Sequence, residues 1–169
     1  MEFTITPSRE EDLAALPEIE RRAWDLFSTH PLTAALVTDE DGPRDFSAAH
    51  AAGALWVARD ASGTPVGFAL AEIVDAHWHL GELDVLPDYG RKGIGTALVR
   101  AVLAAARERG DGIVTLTTFR EVPWNAPFYE RVGFRPLTED EMSPALCKRI
   151  EYEIAHGFPP ALRVAMRFG

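Results

Sequence analysis

The stretch PDYGRKGIGTALVRA, residues 87–101, sets Gly90, Gly93 and Gly95 around the adjacent cations Arg91 and Lys92 and then breaks into an alanine- and leucine-rich segment. A glycine-rich turn that opens a helix presents backbone N–H groups and the positive end of the helix dipole, so its default guest is an anion, usually a phosphate. The same stretch constrains topology. Apolar, β-branched runs at 78–86 and 113–119 (IVTLTTF) bracket a predicted helix at about 93–109, in which Leu98, Val102 and Ala105 share one face and Val99, Leu103 and Ala106 lie beside it. A succession of strand, long helix and strand requires a right-handed crossover and parallel pairing of the two strands.

Shorter signals surround this unit. A first strand is predicted at 3–6, then a helix capped near Ser8 in which Leu13, Leu16, Ile19, Ala23 and Phe27 recur at helical spacing; Pro17 kinks it or starts a second helix. Residues 30–45, with two prolines and the turn signal DEDG, read as a long connection, and such connections are often functional. A helix at 46–53 and strands at 54–59 and 66–74 follow, the strands separated by a turn at 60–65. After 119 come a short helix at 126–131, a strand at 134–137, a helix at 143–156 and a closing strand at 163–168. The pattern predicts a mixed α/β fold with helices on both faces of one sheet.

The chain has 169 residues and reads as a single domain, 1–169. Its N-terminus, MEFTITPSREEDL, has neither the basic nor the apolar part of an export signal, and no run of 18 apolar residues offers a membrane span, so a cytoplasmic protein without a membrane role is expected. Cys147 is the only cysteine, which excludes an internal disulfide and a thiolate metal cluster. A net charge of −9 repels polyanions and makes nucleic acid a poor partner; it suits a cationic substrate such as an amine, and equally suits solubility.

Two phosphate loops can be set aside. The dinucleotide fingerprint G-x-G-x-x-G belongs after the first strand, whereas this chain has the reverse order, G-x-x-G-x-G, after several strands. A nucleoside-triphosphate loop needs lysine and then serine or threonine after its last glycine, and here Thr96 and Ala97 follow Gly95. VLPDYGRKGIGTALV instead resembles the acetyl-coenzyme-A pyrophosphate loop of the GNAT N-acetyltransferase superfamily, Q/R-x-x-G-x-G/A, through Gly93 and Gly95. WNAPFYERVGFRP, residues 124–136, is similar to that superfamily's N-x-x-x-F/Y-Y-x-x-x-G-F segment and lies at the expected distance. The family's Gln or Arg position is Gly90 here, and the cation follows one place later as Arg91.

The resemblance implies a mostly antiparallel central sheet of six to seven strands flanked by helices, with an acetyl-CoA-binding core at about 82–137. It implies that backbone N–H groups from Arg91, Lys92, Gly93, Ile94, Gly95 and Thr96 receive the pyrophosphate, and that Leu83, Asp84 and Val85 lie along the pantetheine arm, their backbone polarising the thioester. Phe128 and Asn125 would flank the cofactor, Asn125 also capping the short helix. The acyl donor would be acetyl-CoA, with no metal. An alkyl amine titrates near 10.4, so roughly one molecule in 2500 is neutral at pH 7 and a base is needed. Glu82, two residues from Asp84 and on the same side of a regular strand, is the first candidate for that base, directly or through water. His77 and His79 share a side as well but lack a third ligand for a metal. Tyr129 matches the family's general acid; a phenol near 10 is a weaker acid than a thiol near 8.5, so its service is a hydrogen bond to the departing sulfur with proton transfer late or shared.

The acceptor is expected against the N-terminal half, where Trp24, Phe27, Trp56, His77 and Trp78 are available, together with Trp124 and Glu82. Transfer of an acetyl group to a primary amine of a small molecule is the preferred expectation. A peptide or protein N-acetyltransferase and a non-catalytic CoA-binding sensor are the alternatives, and the presence of both Glu82 and Tyr129 favours an enzyme. A homodimer paired through the strand at 163–168 is a further expectation.

Overall fold

A computed structural model describes residues 2–36, 44–110 and 112–169. The strands are β1 (Phe3–Pro7), β2 (Leu55–Asp60), β3 (Pro65–Val74), β4 (His77–Val85), β5 (Val114–Phe119), β6 (Arg135–Pro136) and β7 (Arg163–Phe168). They form one seven-stranded sheet in the order β1-β2-β3-β4-β5-β7-β6. Every neighbouring pair is antiparallel except β4 and β5, which pair in parallel across the helix α3 (Ile94–Glu108), the crossover read from the sequence.

Local chemistry sets the turns. Asp60 Oδ1 accepts from the backbone N–H of Ser62 at 2.9 Å and of Thr64 at 3.1 Å, closing the β2–β3 hairpin. Asp75 (φ 51°) and Ala76 (φ 67°) both sit in the left-handed region and close β3–β4 in two residues, the geometry that matches strand twist.

Helix α3 and the short helix α4 (Ala126–Val132) pack on one face of the sheet around Leu80, Leu98, Val102, Leu116 and Met166. On the other face lie α1 (Leu16–Ser28), which buries Leu16 and Ile19 against Leu55, Val57 and Phe68, and α2 (Ser47–Ala51). The helix α5 (Pro144–Ala155) reaches that same face through ion pairs, Arg149 Nη1 to Glu72 at 2.6 Å and Arg163 Nη2 to Glu153 at 2.9 Å. α1 begins at Leu16, with Pro17 in its first turn, after a 3₁₀ turn at Glu10–Ala15. Ser8 does not cap: its Oγ lies 2.8 Å from His50 Nδ1, and Asp12 instead accepts from the Arg9 backbone at 2.6 Å while pairing with buried Arg59.

One irregularity decides which side chains meet. Leu70 pairs with Glu82 but Ala71 pairs with Leu80, so Gly81 is an extra residue, a bulge. Side-chain parity reverses there: Trp78 and Leu80 join the α3 core, and Leu83 and Val85 pack on the same core, which turns Glu82 and Asp84 to the α1 face.

The strand at 163–168 is not a free edge. β7 lies between β5 and β6, and the Leu137 N–H adds a hydrogen bond to Ala165 O at 2.9 Å. Residues 165–167 of this strand therefore already have partners within the chain on both sides. The predicted strand at 134–137 shortens to two residues, since Pro136 supplies no donor. Residues 37–43 of the connection read at 30–45 lie outside the described residues. Among the described residues no helix is long and apolar enough to cross a membrane.

Candidate functional site

The parallel β4–β5 ladder runs only from Trp78↔Val114 to Leu80↔Leu116. Past the bulge, β4 keeps its pairing to β3 through Val85 but has no ladder partner on β5. The strands part there, and a cleft of ≈ 2240 Å³ opens through the sheet, lined by Glu82, Leu83, Asp84 and Val85 on one side and Thr117, Asn125, Phe128 and Tyr129 on the other. An unpaired strand edge facing a cleft offers backbone donors and acceptors to an extended ligand.

At one end the cleft meets the glycine-rich turn. Gly93 has φ 85° and opens α3, and the first intrahelical bond runs from the Ala97 N–H to Gly93 O at 3.0 Å. The N–H groups of Ile94, Gly95 and Thr96 thus have no acceptor within the 15-residue helix. Arg91, held at φ 57°, lines this end along with Arg131 and Gly90. Lys92 does not reach the cleft: its Nζ donates to Asp88 O at 2.6 Å and lies 5.0 Å from the Tyr89 ring centroid. The side chain of Thr96 is not part of the cleft wall, which leaves its backbone N–H as the contribution it can make.

At the middle of the cleft, Glu82, Asp84 and Glu20 hold oxygens within 4.8 Å of one another. Arg44 answers them, its Nη2 2.6 Å from Glu82 Oε1 and its Nε 2.9 Å from Glu20 Oε1, so one guanidinium pairs with two of the three carboxylates. Burial raises the Glu82 carboxyl above its ordinary value, with Arg44 opposing. Burial raises Asp84 further, helped by the charges of Glu82 and Glu20, and Asp84 Oδ2 has no hydrogen-bond partner among the described residues. Facing them from α4, Tyr129 is 7% exposed and its phenol is also raised, by burial first and then by Asp84 and Glu82. Its hydroxyl makes no hydrogen bond to another described residue, whereas its ring packs on Phe128 and Phe134 at 5.0 and 5.7 Å. The arrangement can therefore hold one negative charge beside an incoming cation and present one proton that stays on oxygen through neutral pH.

The raised Asp84 carboxyl has a consequence for stability. A group with a folded-state value above its unfolded one favours folding fully below the unfolded value, about 3.9, and that contribution is lost as pH rises through the folded value. Asp84→Asn is accordingly expected to raise Tm by roughly 3 °C at pH 7 and to leave it unchanged below about pH 4, read by thermal scans across pH. A gap that widened toward acid would contradict the assignment.

Asn125 stands at the N-cap of α4 but does not cap it with its side chain: Nδ2 donates to Thr118 Oγ1 at 2.8 Å, and Oδ1 is buried without a partner among the described residues. Trp24, Phe27 and Trp124 line the far end of the cleft, whereas Trp78 does not. Trp78 is 7% exposed in the α3 core, 5.9 Å from the Trp56 ring, because the Gly81 bulge turns it to the face opposite Glu82. His79 is wholly buried, its Nδ1 2.9 Å from Thr115 Oγ1, and burial, then Arg149, lowers its pKa to about 3; it is no proton carrier at neutral pH. Sequence reasoning missed Glu20, Arg44, Phe119, Glu153, Phe158 and Arg163, all in the cleft wall.

The acetyltransferase (GNAT) family model matches residues 13–134. Mycothiol acetyltransferase of Propionibacterium freudenreichii subsp. shermanii is 32% identical over 136 residues, 78% of this chain and 43% of that protein. An N-acetyltransferase of Methanocaldococcus jannaschii, itself uncharacterised, is 34% identical over 85 residues, 44% of this chain and 36% of that protein. The chain thus spans less than half the length of these relatives. In fold it is similar to the PaiA N-acetyltransferase from Thermoplasma acidophilum in complex with coenzyme A, with a TM-score of 0.70, 18% identity, and coverage of 99% of this chain and 98% of that one.

Proposed function

Since the chain belongs to the acetyltransferase (GNAT) family, we propose that it transfers an acetyl group from acetyl-CoA to a primary amine of a small molecule by direct attack. The observation that carries this reading is the pairing, across one cleft, of a carboxylate group at Glu82 with a phenol at Tyr129 that keeps its proton.

The N-terminus of α3 and the guanidinium of Arg91 receive the pyrophosphate, and the unpaired edge of β4 at 83–85 takes the pantetheine amides. Asn125, with an orphaned carbonyl oxygen beside the cleft, and Phe128 wall the arm on the opposite side. Glu82 accepts the proton of the acceptor ammonium, directly or through a water, which frees the lone pair to attack the thioester carbonyl. As the tetrahedral adduct collapses the carbon–sulfur bond breaks, the second proton of the former amine leaves its nitrogen through water for the departing thiolate, giving the amide and the free thiol, and the Tyr129 hydroxyl donates a hydrogen bond to that sulfur. Raising the phenol makes full transfer to a thiolate more uphill than it is for free tyrosine, so Tyr129 acts by that hydrogen bond.

Gly93→Val tests the loop. At φ 85° a β-branched residue is strained even though a Cβ there meets nothing within 4 Å, so the backbone must shift and the first-turn donors with it. Acetyl-CoA is expected to bind about tenfold more weakly by calorimetry; unchanged affinity would place the anion elsewhere. The function itself is tested by thiol release from acetyl-CoA over a panel of small amines and N-terminal peptides. Release with small amines supports the reading. Release with peptides alone replaces it by a peptide N-acetyltransferase, and binding of acetyl-CoA without release from any amine replaces it by a sensor.

A further inference from the structure

The far end of the cleft is an aromatic chamber. Trp24 and Phe27 on α1 are in ring contact at 4.7 Å; Phe27 meets Phe119 at 5.4 Å and Trp124 at 5.9 Å; Phe158 closes the ring, 5.6 Å from Phe119 and 6.3 Å from Trp24. These five side chains come from α1, the end of β5 and the segments before α4 and β7, and all five line the cleft.

Charge is distributed unevenly along the same cleft. Among the described residues, every guanidinium lining the middle and the aromatic end of the cleft is engaged: Arg44 by Glu20 and Glu82, Arg149 by Glu72, Arg163 by Glu153, and Arg21 by Glu18. Arg163 is also stacked, 4.8 Å from the Phe119 centroid and 4.9 Å from that of Phe158. By contrast, Arg91 beside the glycine turn and Arg131 on α4 line the cleft with no ion-pair partner among the described residues. Among the described residues, an anionic group on the acceptor would find no unengaged guanidinium at the aromatic end and would face Glu20, Glu82 and Asp84. A cation would be drawn to those carboxylates and to the faces of the aromatic rings.

We propose that the acceptor is an ammonium carried on an aromatic or bulky apolar body and free of carboxylate or phosphate, its body lodged among Trp24, Phe27, Phe119, Trp124 and Phe158 and its nitrogen directed to Glu82. This rests on the acetyl-transfer reading and narrows it, since amino acids and phosphosugars are disfavoured while aralkylamines and amino-acid amides are selected.

The test compares phenylalaninamide with phenylalanine, which differ in the carboxylate, and 2-phenylethylamine with spermidine, which differ in the apolar body, by thiol release at saturating acetyl-CoA. A preference of about 100-fold in kcat/KM for phenylalaninamide over phenylalanine is expected. Phe158→Ala is expected to raise KM for 2-phenylethylamine about tenfold while leaving the acetyl-CoA Kd unchanged, which also shows that the variant is folded. Quenching of tryptophan fluorescence by 2-phenylethylamine and not by phenylalanine is expected as well, and this readout does not depend on turnover. Preferential acetylation of phenylalanine or spermidine overturns the acceptor class and leaves acetyl transfer standing. Quenching by 2-phenylethylamine with no thiol release from any amine would uphold the chamber and overturn acetyl transfer.

Discussion

Glu82→Gln is expected to lower kcat by about 10²–10³-fold with little change in KM for acetyl-CoA, the range typical for losing a positioned general base. Glutamine keeps the volume of the side chain, and Arg44 retains its 2.9 Å contact with Glu20, so the cleft wall has reason to stay in place. The pH dependence separates a base from a mere structural charge. In the unaltered protein the carboxyl must be ionised to work, and burial raises it, so the acid limb of kcat/KM is expected above the ordinary glutamate range near 4.3. In Glu82→Gln that limb disappears, and the deficit shrinks as pH climbs toward the amine's own value near 10.4, where the acceptor loses its proton unaided. A normal rate in Glu82→Gln together with a collapsed one in Asp84→Asn would move the base two residues along the strand.

Tyr129→Phe is the second large effect, about 10²-fold in single-turnover rate, with acetyl-CoA affinity preserved. The substitution removes one oxygen and keeps the ring contacts to Phe128 and Phe134 that seat α4. Because burial and the charges of Asp84 and Glu82 push the phenol up, the lost function is donation to sulfur. The deficit is therefore expected to be flat from pH 6 to 9, where the hydroxyl of the unaltered protein is protonated throughout. An unchanged single-turnover rate would remove Tyr129 from the chemistry.

Much of this arrangement can be read from local pattern. The glycine spacing announces the start of α3, the run IVTLTTF announces β5, and Tyr129 enters as a candidate through the resemblance that Asn125, Phe128 and Gly133 carry, all within about 50 residues of chain. The misplacement of Trp78 has a local cause that is also visible in retrospect. Strict alternation from Trp78 through Leu80 to Glu82 puts all three on one face, and only the Gly81 bulge separates them; a glycine inside an apolar strand is the signal for such a bulge. The aromatic end is legible only in part: Trp24, Phe27 and Trp124 are expected on the acceptor side and line the cleft, whereas Phe119 and Phe158 are not foreseen. Phe27, Phe119, Trp124 and Phe158 converge from three stretches of chain, and nothing local says that Arg163 stacks between Phe119 and Phe158 or that Arg44 joins Glu20 to Glu82. Those contacts are set by α1 and α5 sharing one face of the sheet, a tertiary fact with no periodicity of its own.

The central claim is that the parting of β4 from β5, beside the open N-terminus of α3, is an acetyl-CoA site. Calorimetric titration of the protein with acetyl-CoA tests it most directly. Saturable one-to-one binding, weakened about tenfold in Gly93→Val and unaltered in Tyr129→Phe, is the expected result; no binding, or binding indifferent to Gly93, would contradict it.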